Sequence, residues 1–250
     1  MKPLRGLFIT GTDTGVGKTQ IACAIIRVLR GQGARVGAYK PAVSGSRSGP
    51  DGPIWDDVTQ LQAALGSGVA PERICPQCFH APLAPPVAAR QEGKTVDAAL
   101  LRSGIDWWRG RADVVIVEGA GGLLSPVTET ESVADVACDL GFPLIVVARA
   151  SLGTINHTLL TLEAARHRRL HVAGIVLNQA VAADPHDPSP FTNAEELRRR
   201  AGVPILANLP HAVAPDLLQP APLSTIDWMQ LAQCNLRPVQ STQCGRGITE

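Results

Sequence analysis

An excess of charge of either sign is missing from this chain of 250 residues, in which 23 lysines and arginines face 22 aspartates and glutamates. The near balance removes the electrostatic case for nucleic acid or an anionic membrane as an obligate partner, so the expected partners are small molecules. Also missing is any apolar run near the ~20 residues of a membrane span. Lys2 and Arg5 lead directly into an apolar strand pattern, without an h-region or cleavage site, and a soluble, cytoplasmic protein is expected. Cysteine is scarce, with six residues, which fits a reduced compartment better than a disulfide framework. Cys75-Pro76-Gln77-Cys78 has the spacing of a redox pair or half a zinc site, but no second pair or suitably spaced histidine pair follows it, and it reads as loop cysteines. Neither internal repeats nor a domain-sized linker interrupt the chain. A single domain over residues 1–233 is expected, with the polar stretch 234–250 as a loosely held tail.

What is present centres on Gly11-Thr12-Asp13-Thr14-Gly15-Val16-Gly17-Lys18-Thr19. Leu7-Phe8-Ile9 enters it as a strand, and Ile21, Ala22, Ala24, Ile25, Val28 and Leu29 leave it at helical spacing. Between strand and helix, glycines let backbone N–H groups turn onto a polyphosphate. Lys18 adds a point charge for the outer phosphates, and the Thr19 hydroxyl suits Mg2+. Five residues separate Gly11 from Gly17, one more than in the common phosphate loop, and Gly15 is expected to supply the extra tight turn. The stretch predicts a nucleoside triphosphate site.

Val36 to Tyr39 reads as a second strand that delivers Lys40-Pro41 and then Ser44-Gly45-Ser46 at its C-terminal end, the edge where open parallel sheets bind ligands. Residues 47–53 read as a mobile surface loop. Asp56 and Asp57 open a helix with Val58, Leu61 and Leu65 as its apolar stripe. The proline-rich run 70–89 reads as irregular chain, followed by a helix from Val96 to Arg109. Asp113-Val114-Val115-Ile116-Val117-Glu118 is a buried parallel strand ending in a carboxylate placed for Mg2+, with Gly119-Ala120-Gly121-Gly122 beside it. Further strands are expected at 143–148, 172–178 and 203–207, with a helix start at Leu152-Gly153-Thr154-Ile155-Asn156-His157. Strands alternating with helices imply an α/β fold whose parallel sheet is covered on both faces.

Five segments in order, GTDTGVGKT, YKPAVSGS, DVVIVEGAGG, SLGTINH and VLNQ, resemble the dethiobiotin synthetases, a P-loop NTPase family, from about residue 7 to about residue 211. The resemblance implies an about seven-stranded parallel sheet, a homodimer, and ring closure on 7,8-diaminononanoate with CO2 or bicarbonate and ATP. It implies catalytic roles for Lys18 and Lys40, and Mg2+ ligation by Thr19, Asp57 and Glu118. Nucleotide contacts are implied for Gly15, Val16, Gly17, Gln20, Gly119, Ala120, Gly121, Asn178, Gln179, Leu209, Pro210 and His211. Asn178 matches the adenine reader. Thr14 and Ser44 match substrate-contacting positions, and Gly153, Thr154, Ile155 and Asn156 match the helix start that receives the substrate carboxylate across the dimer. Asp56 beside Asp57 leaves the metal ligand ambiguous by one position, and Asp57 is chosen from its offset to Lys40. No aromatic residue follows Pro210 as it does in some relatives.

A partitioning-type regulatory ATPase shares such a fold, but Gly11 to Val16 lacks the extra lysine usual there, and neither a basic patch nor a terminal amphipathic anchor is evident. A cobyrinate-amidase-like ligase needs a glutaminase domain for which the chain has no room.

Overall fold

The apolar run before the phosphate loop forms β1 (Arg5–Gly11), buried at every position after Arg5. A strand that is apolar on both faces has to be covered on both. In the computed structural model, which describes residues 3–66, 68–182, 186–211 and 221–233, β1 lies between β7 (Val114–Gly122) and β8 (Leu144–Arg149) and runs parallel to each. With β2 (Val36–Tyr39), β9 (Val172–Asn178) and β10 (Ile205–Leu209) it forms a parallel sheet ordered β10-β9-β8-β1-β7-β2. Among the described residues the main sheet has six strands, in keeping with the parallel sheet of about seven that was expected. Residues 234–250, expected as a tail, lie outside the described residues.

Period-two alternation divides the interior into layers. Val146, Ala148, Ile175 and Leu177 turn to one face, where they join Leu162 of α7 (Thr154–His167) and Ala194 and Leu197 of α8 (Ser189–Arg200). Their neighbours Ile145, Val147 and Val176 join the larger cluster that contains Ile21, Ile25 and Leu29 of α1 (Lys18–Gly31). A fully buried Leu or Ile contributes about 1.5–3 kcal/mol, so this alternation holds the register of the strand ends that carry the site. α6 (Val133–Leu140) packs beside β7, its start held by a capping box in which Ser132 and Asp135 satisfy one another's backbone.

The middle of the chain departs from expectation. Residues 47–53 form a hairpin with their neighbour Ile54, β4 (Arg47–Gly49) against β5 (Gly52–Ile54), after the short β3 (Val43–Ser44). α2 (Asp56–Leu65) follows as expected. The proline-rich run is not irregular: it holds α3 (Pro71–Ile74), β6 (Cys78–Phe79) and α4 (Pro85–Gln91). Pro71 and Pro85 sit in the first turn of their helices, where a missing N–H costs nothing. The expected helix from 96 to 109 is two shorter pieces, α5 (Leu100–Ser103) and a 3-10 turn at Gly104–Trp108, and the Tyr39 hydroxyl reaches the Leu100 and Leu101 carbonyls that a continuous α-helix would use. The last strand ends at Leu209 rather than Ala207. Two short helices, α9 (Ala221–Ser224) and α10 (Trp228–Leu231), pack on α1. No helix among the described residues is long and apolar enough to cross a membrane.

Candidate active site

The phosphate loop is clamped from behind. Gly15 and Gly17 adopt φ of 72° and 93°, the left-handed region that side chains disfavour. The Asn178 amide donates to the Val16 carbonyl at 2.9 Å, and a Cβ on Gly17 would fall 2.1 Å from the same nitrogen. The loop therefore turns its N–H groups outward around the start of α1, with Lys18 buried and its Nζ donating to the Asp13 carbonyl at 3.0 Å. Burial lowers the Lys18 pKa, partly offset by the nearby Glu118 carboxylate.

Four elements converge next to that loop. Thr19 Oγ1, in the first turn of α1, lies 2.9 Å from Asp57 Oδ1 and 2.8 Å from Glu118 Oε1, sharing its proton between them. Lys40, at the end of β2, places Nζ 2.7 Å from Asp57 Oδ2 and 2.7 Å from Glu118 Oε1. Lys40 and Glu118 are 3% and 1% exposed, whereas Asp57 is 37% exposed and opens the group to solvent. Burial alone would discharge Lys40, but the two carboxylates outweigh it and keep the ammonium charged. Burial raises the Glu118 pKa, with Asp57's charge adding to it against the pull of Lys40. Asp57 is held low in spite of burial by Lys40 and the Thr19 hydroxyl.

Asp56 and Asp57 point to different partners. Asp56 points outward and pairs with Arg47 Nε at 2.7 Å, both half exposed, while Asp57 faces the site.

The donor set fits a hard divalent cation. Glu118 Oε2 is buried without a hydrogen-bond partner among the described residues, so one carboxylate oxygen is held dry and unused. Two carboxylates and a hydroxyl are oxygen ligands of the kind Mg2+ takes. No cluster of three or more His, Cys, Asp or Glu occurs among the described residues, so these two carboxylates and the hydroxyl are the donors at hand here.

A cleft of about 590 Å³ opens over this group. Thr14, Gly15, Gly17, Lys18, Thr19 and Gln20 line it from the loop and α1, and Lys40, Ser44 and Asp57 from the neighbouring strand end and helix. Glu118, Ala120 and Gly121 line it from β7. Val16 is buried beneath, and Gly119 packs against Val133 and Phe8 rather than facing the cleft. Asn178 stands behind the loop and not in the wall. Gln179 N–H donates to the Leu209 carbonyl and the His211 ring meets the Gln179 carbonyl at 3.2 Å, so 178–179 and 209–211 form one corner, with Ala180 reaching the cleft. Gly153, Thr154, Ile155 and Asn156 make the first turn of α7 at the end of β8 and do not line their own chain's cleft.

Sequence reasoning missed three parts of the wall. Gln60 sits one turn after Asp57, a spacing that shares a helix face and could have exposed it. Val43 and the Pro82–Pro85 segment add an apolar side, and Ser125 Oγ accepts the Gly122 N–H at 2.8 Å. Nothing local marked those.

A phosphate loop at the middle strand of a parallel sheet, with lysine, threonine and a strand-end carboxylate around it, defines a P-loop ATPase, and a model of the AAA domain family matches residues 5–217. ATP-dependent dethiobiotin synthetase BioD of Anaeromyxobacter dehalogenans (strain 2CP-C) is 50% identical over 208 residues, 83% of this chain and 90% of its own length. That of Bacillus subtilis (strain 168) is 43% identical over 83% of this chain and 87% of its own. The chain belongs to the ATP-dependent dethiobiotin synthetase family, and is an enzyme of that kind. Among solved structures, the septum site-determining protein MinD complexed with Mg-ADP from Pyrococcus horikoshii matches at a TM-score of 0.52 and 16% identity, over 84% of this chain and 82% of that one. The ParA family ATPase from Chlorobium tepidum matches at 0.51 and 15%, over 84% and 86%. Those two likenesses are of fold alone.

Proposed function

We propose that this enzyme closes a ureido ring on 7,8-diaminononanoate from CO2 and ATP, releasing ADP and phosphate, as a cytoplasmic homodimer that uses Mg2+. The observation that carries the reading is Lys40, buried and charged between Asp57 and Glu118 beside the phosphate loop. One amine adds to CO2 to give a carbamate and a proton. A carbamate oxygen then takes the terminal phosphoryl group as ADP leaves, and the second amine displaces phosphate from the mixed anhydride to close the ring. The difficulty lies in bringing one anion onto another. Lys18 and Lys40 balance Asp57 and Glu118, two positive charges against two negative, so added positive charge is needed at the phosphates. Thr19, Asp57 and Glu118 would hold Mg2+, which when bound supplies that charge.

Within the chain, Lys18 holds the outer phosphates and Lys40 the carbamate, with Thr14 and Ser44 orienting the diamine. Val43 and the Pro82–Pro85 wall suit its alkyl chain. Asn178 and Gln179, with Leu209, Pro210 and His211, take the base. Gly153 to Asn156 receive the substrate carboxylate in the partner's cleft, a reading supported by their absence from the lining of their own cleft and by the exposed apolar side chains Leu152, Leu160 and Phe191 on α7, α8 and the preceding loop. The test is ADP release, which should require the diamine and bicarbonate together. ADP release that ignores the diamine refutes the reading.

A further inference from the structure

The Cys75-Pro76-Gln77-Cys78 turn is not a bland loop. Its backbone carries the strand end on which Lys40 sits. Lys40 N–H donates to the Ile74 carbonyl at 2.8 Å, Val43 N–H to Gln77 at 2.9 Å, and Gly45 N–H to Phe79 at 3.1 Å, with Val43 opposite Cys78 in a parallel two-stranded sheet. The two sulfurs sit inside this same turn. Cys75 Sγ donates to the Gln77 carbonyl at 3.3 Å, and Cys78 Sγ lies 3.8 Å from the Cys75 carbonyl. Cys75 is buried and Cys78 partly exposed. The neighbouring Cys75 thiol lowers the Cys78 pKa, while burial pushes Cys75 up. That asymmetry separates an accessible attacking thiol from a shielded resolving one.

We propose that Cys75 and Cys78 form a reversible intrachain disulfide, and that its closure loosens the Lys40–Gly45 segment and slows the enzyme. The oxidant is a low-molecular-weight disulfide such as oxidised glutathione. The Cys78 thiolate attacks one of its sulfurs, forming a mixed disulfide and expelling a glutathione thiolate. Cys75 loses its proton to solvent and attacks the Cys78 sulfur, expelling the second thiolate. Two protein thiols are oxidised, and one disulfide is reduced to two thiols. Closure consumes the Cys75 S–H, so the Gln77 carbonyl loses that donor while it still accepts the Val43 N–H. The change in the turn reaches the strand end through that shared acceptor.

The activity arm rests on the role proposed for Lys40, whereas the covalent and exchange arms do not. The full-length protein is equilibrated in glutathione buffers from reducing to oxidising, then read by peptide mass, amide hydrogen exchange and diamine-dependent ADP release. Expected are a loss of about 2 Da in the peptide spanning 75–78, faster exchange in residues 40–46, and turnover about tenfold lower, short of the ~10²-fold that a 1 Å misplacement can cost. Dithiothreitol reverses all three, and Cys78→Ser, at a partly exposed site, shows none of them. Peptide mapping separates this bond from any formed by Cys23, Cys138, Cys234 or Cys244. Failure of the 75–78 bond to form in oxidising buffer overturns the proposal, and so does a bond that leaves exchange unchanged. Should the reduced protein lack diamine-dependent turnover, the functional reading fails while mass and exchange still judge the switch.

Discussion

Replacing Lys40 with Met keeps its length and removes its charge, leaving Glu118 and Asp57 without their cation. Breaking a buried pair by removing one partner costs about 3–5 kcal/mol. Asp57 is 37% exposed, so water screens its share. The cost therefore falls mainly on Glu118 and is expected near the lower bound, about 3 kcal/mol. For a chain of this size that is a fall in Tm of roughly 6–12 °C. Urea unfolding and thermal melts of both proteins, with and without excess Mg2+, measure it. Proton linkage sets the pH course. The folded Glu118 pKa lies above its ordinary value of 4.5, so only between those two values does the native state hold more proton there than the unfolded state. Its contribution to stability falls as pH rises through the folded pKa and returns as pH drops. Without Lys40 that window extends further upward, so the deficit of the variant is greatest at neutral pH and narrows in acid. Excess Mg2+ should restore more stability to the variant than to the wild type. A variant within about 0.5 kcal/mol of the wild type at neutral pH would refute the electrostatic account of this site.

Asp57→Asn is expected to raise the Mg2+ concentration needed for turnover, and Asp56→Asn, which only breaks an exposed pair with Arg47, to change it far less; a Mg2+ titration showing the reverse order places the metal ligand at Asp56. Gly17→Ala should abolish nucleotide binding, measured by calorimetry, because its Cβ would meet the Asn178 amide and its φ disfavours any side chain. Asp135→Ala removes half of the capping box and an ion pair to Arg168, and should cost about 0.5–2 kcal/mol in urea unfolding without altering KM. Mixing Gly153→Val and Lys18→Ala subunits should restore activity in heterodimers, since one composite site then keeps both intact parts; verified heterodimers that stay inactive would show that each site is built within one chain.

The site was legible where chemistry is written locally. The strand-loop-helix around Lys18 and the apolar run ending at Glu118 each declare themselves within a dozen or so residues. The proline-rich run was misread because proline signals both a helix break and a helix start, and only the surrounding structure shows that Pro71 and Pro85 open helices. Separating Asp57 from Asp56 needed the Arg47 partner, which the hairpin brings to one of them and not the other. The Asn178 clamp on Val16 joins residues 162 positions apart, and no local pattern carries that. The family resemblance picked out Asn178 for the base, but its hold on the loop emerged from the fold.

The sheet order has a consequence for how the chain is made. Thr19, Lys40, Asp57 and Glu118 are all outside the ribosome once β7 has emerged from it, and β2, β7 and β1 can then pair. The other edge of β1, with Leu7, Phe8 and Ile9 along it, has no neighbour until β8 is synthesised. Such an edge is a template for pairing with another chain. Stalled nascent chains from which β7 but not β8 has emerged should therefore recruit chaperones or aggregate, and chains long enough for β8 to emerge as well should not, whereas equal behaviour at both lengths would mean that the edge is shielded by other means.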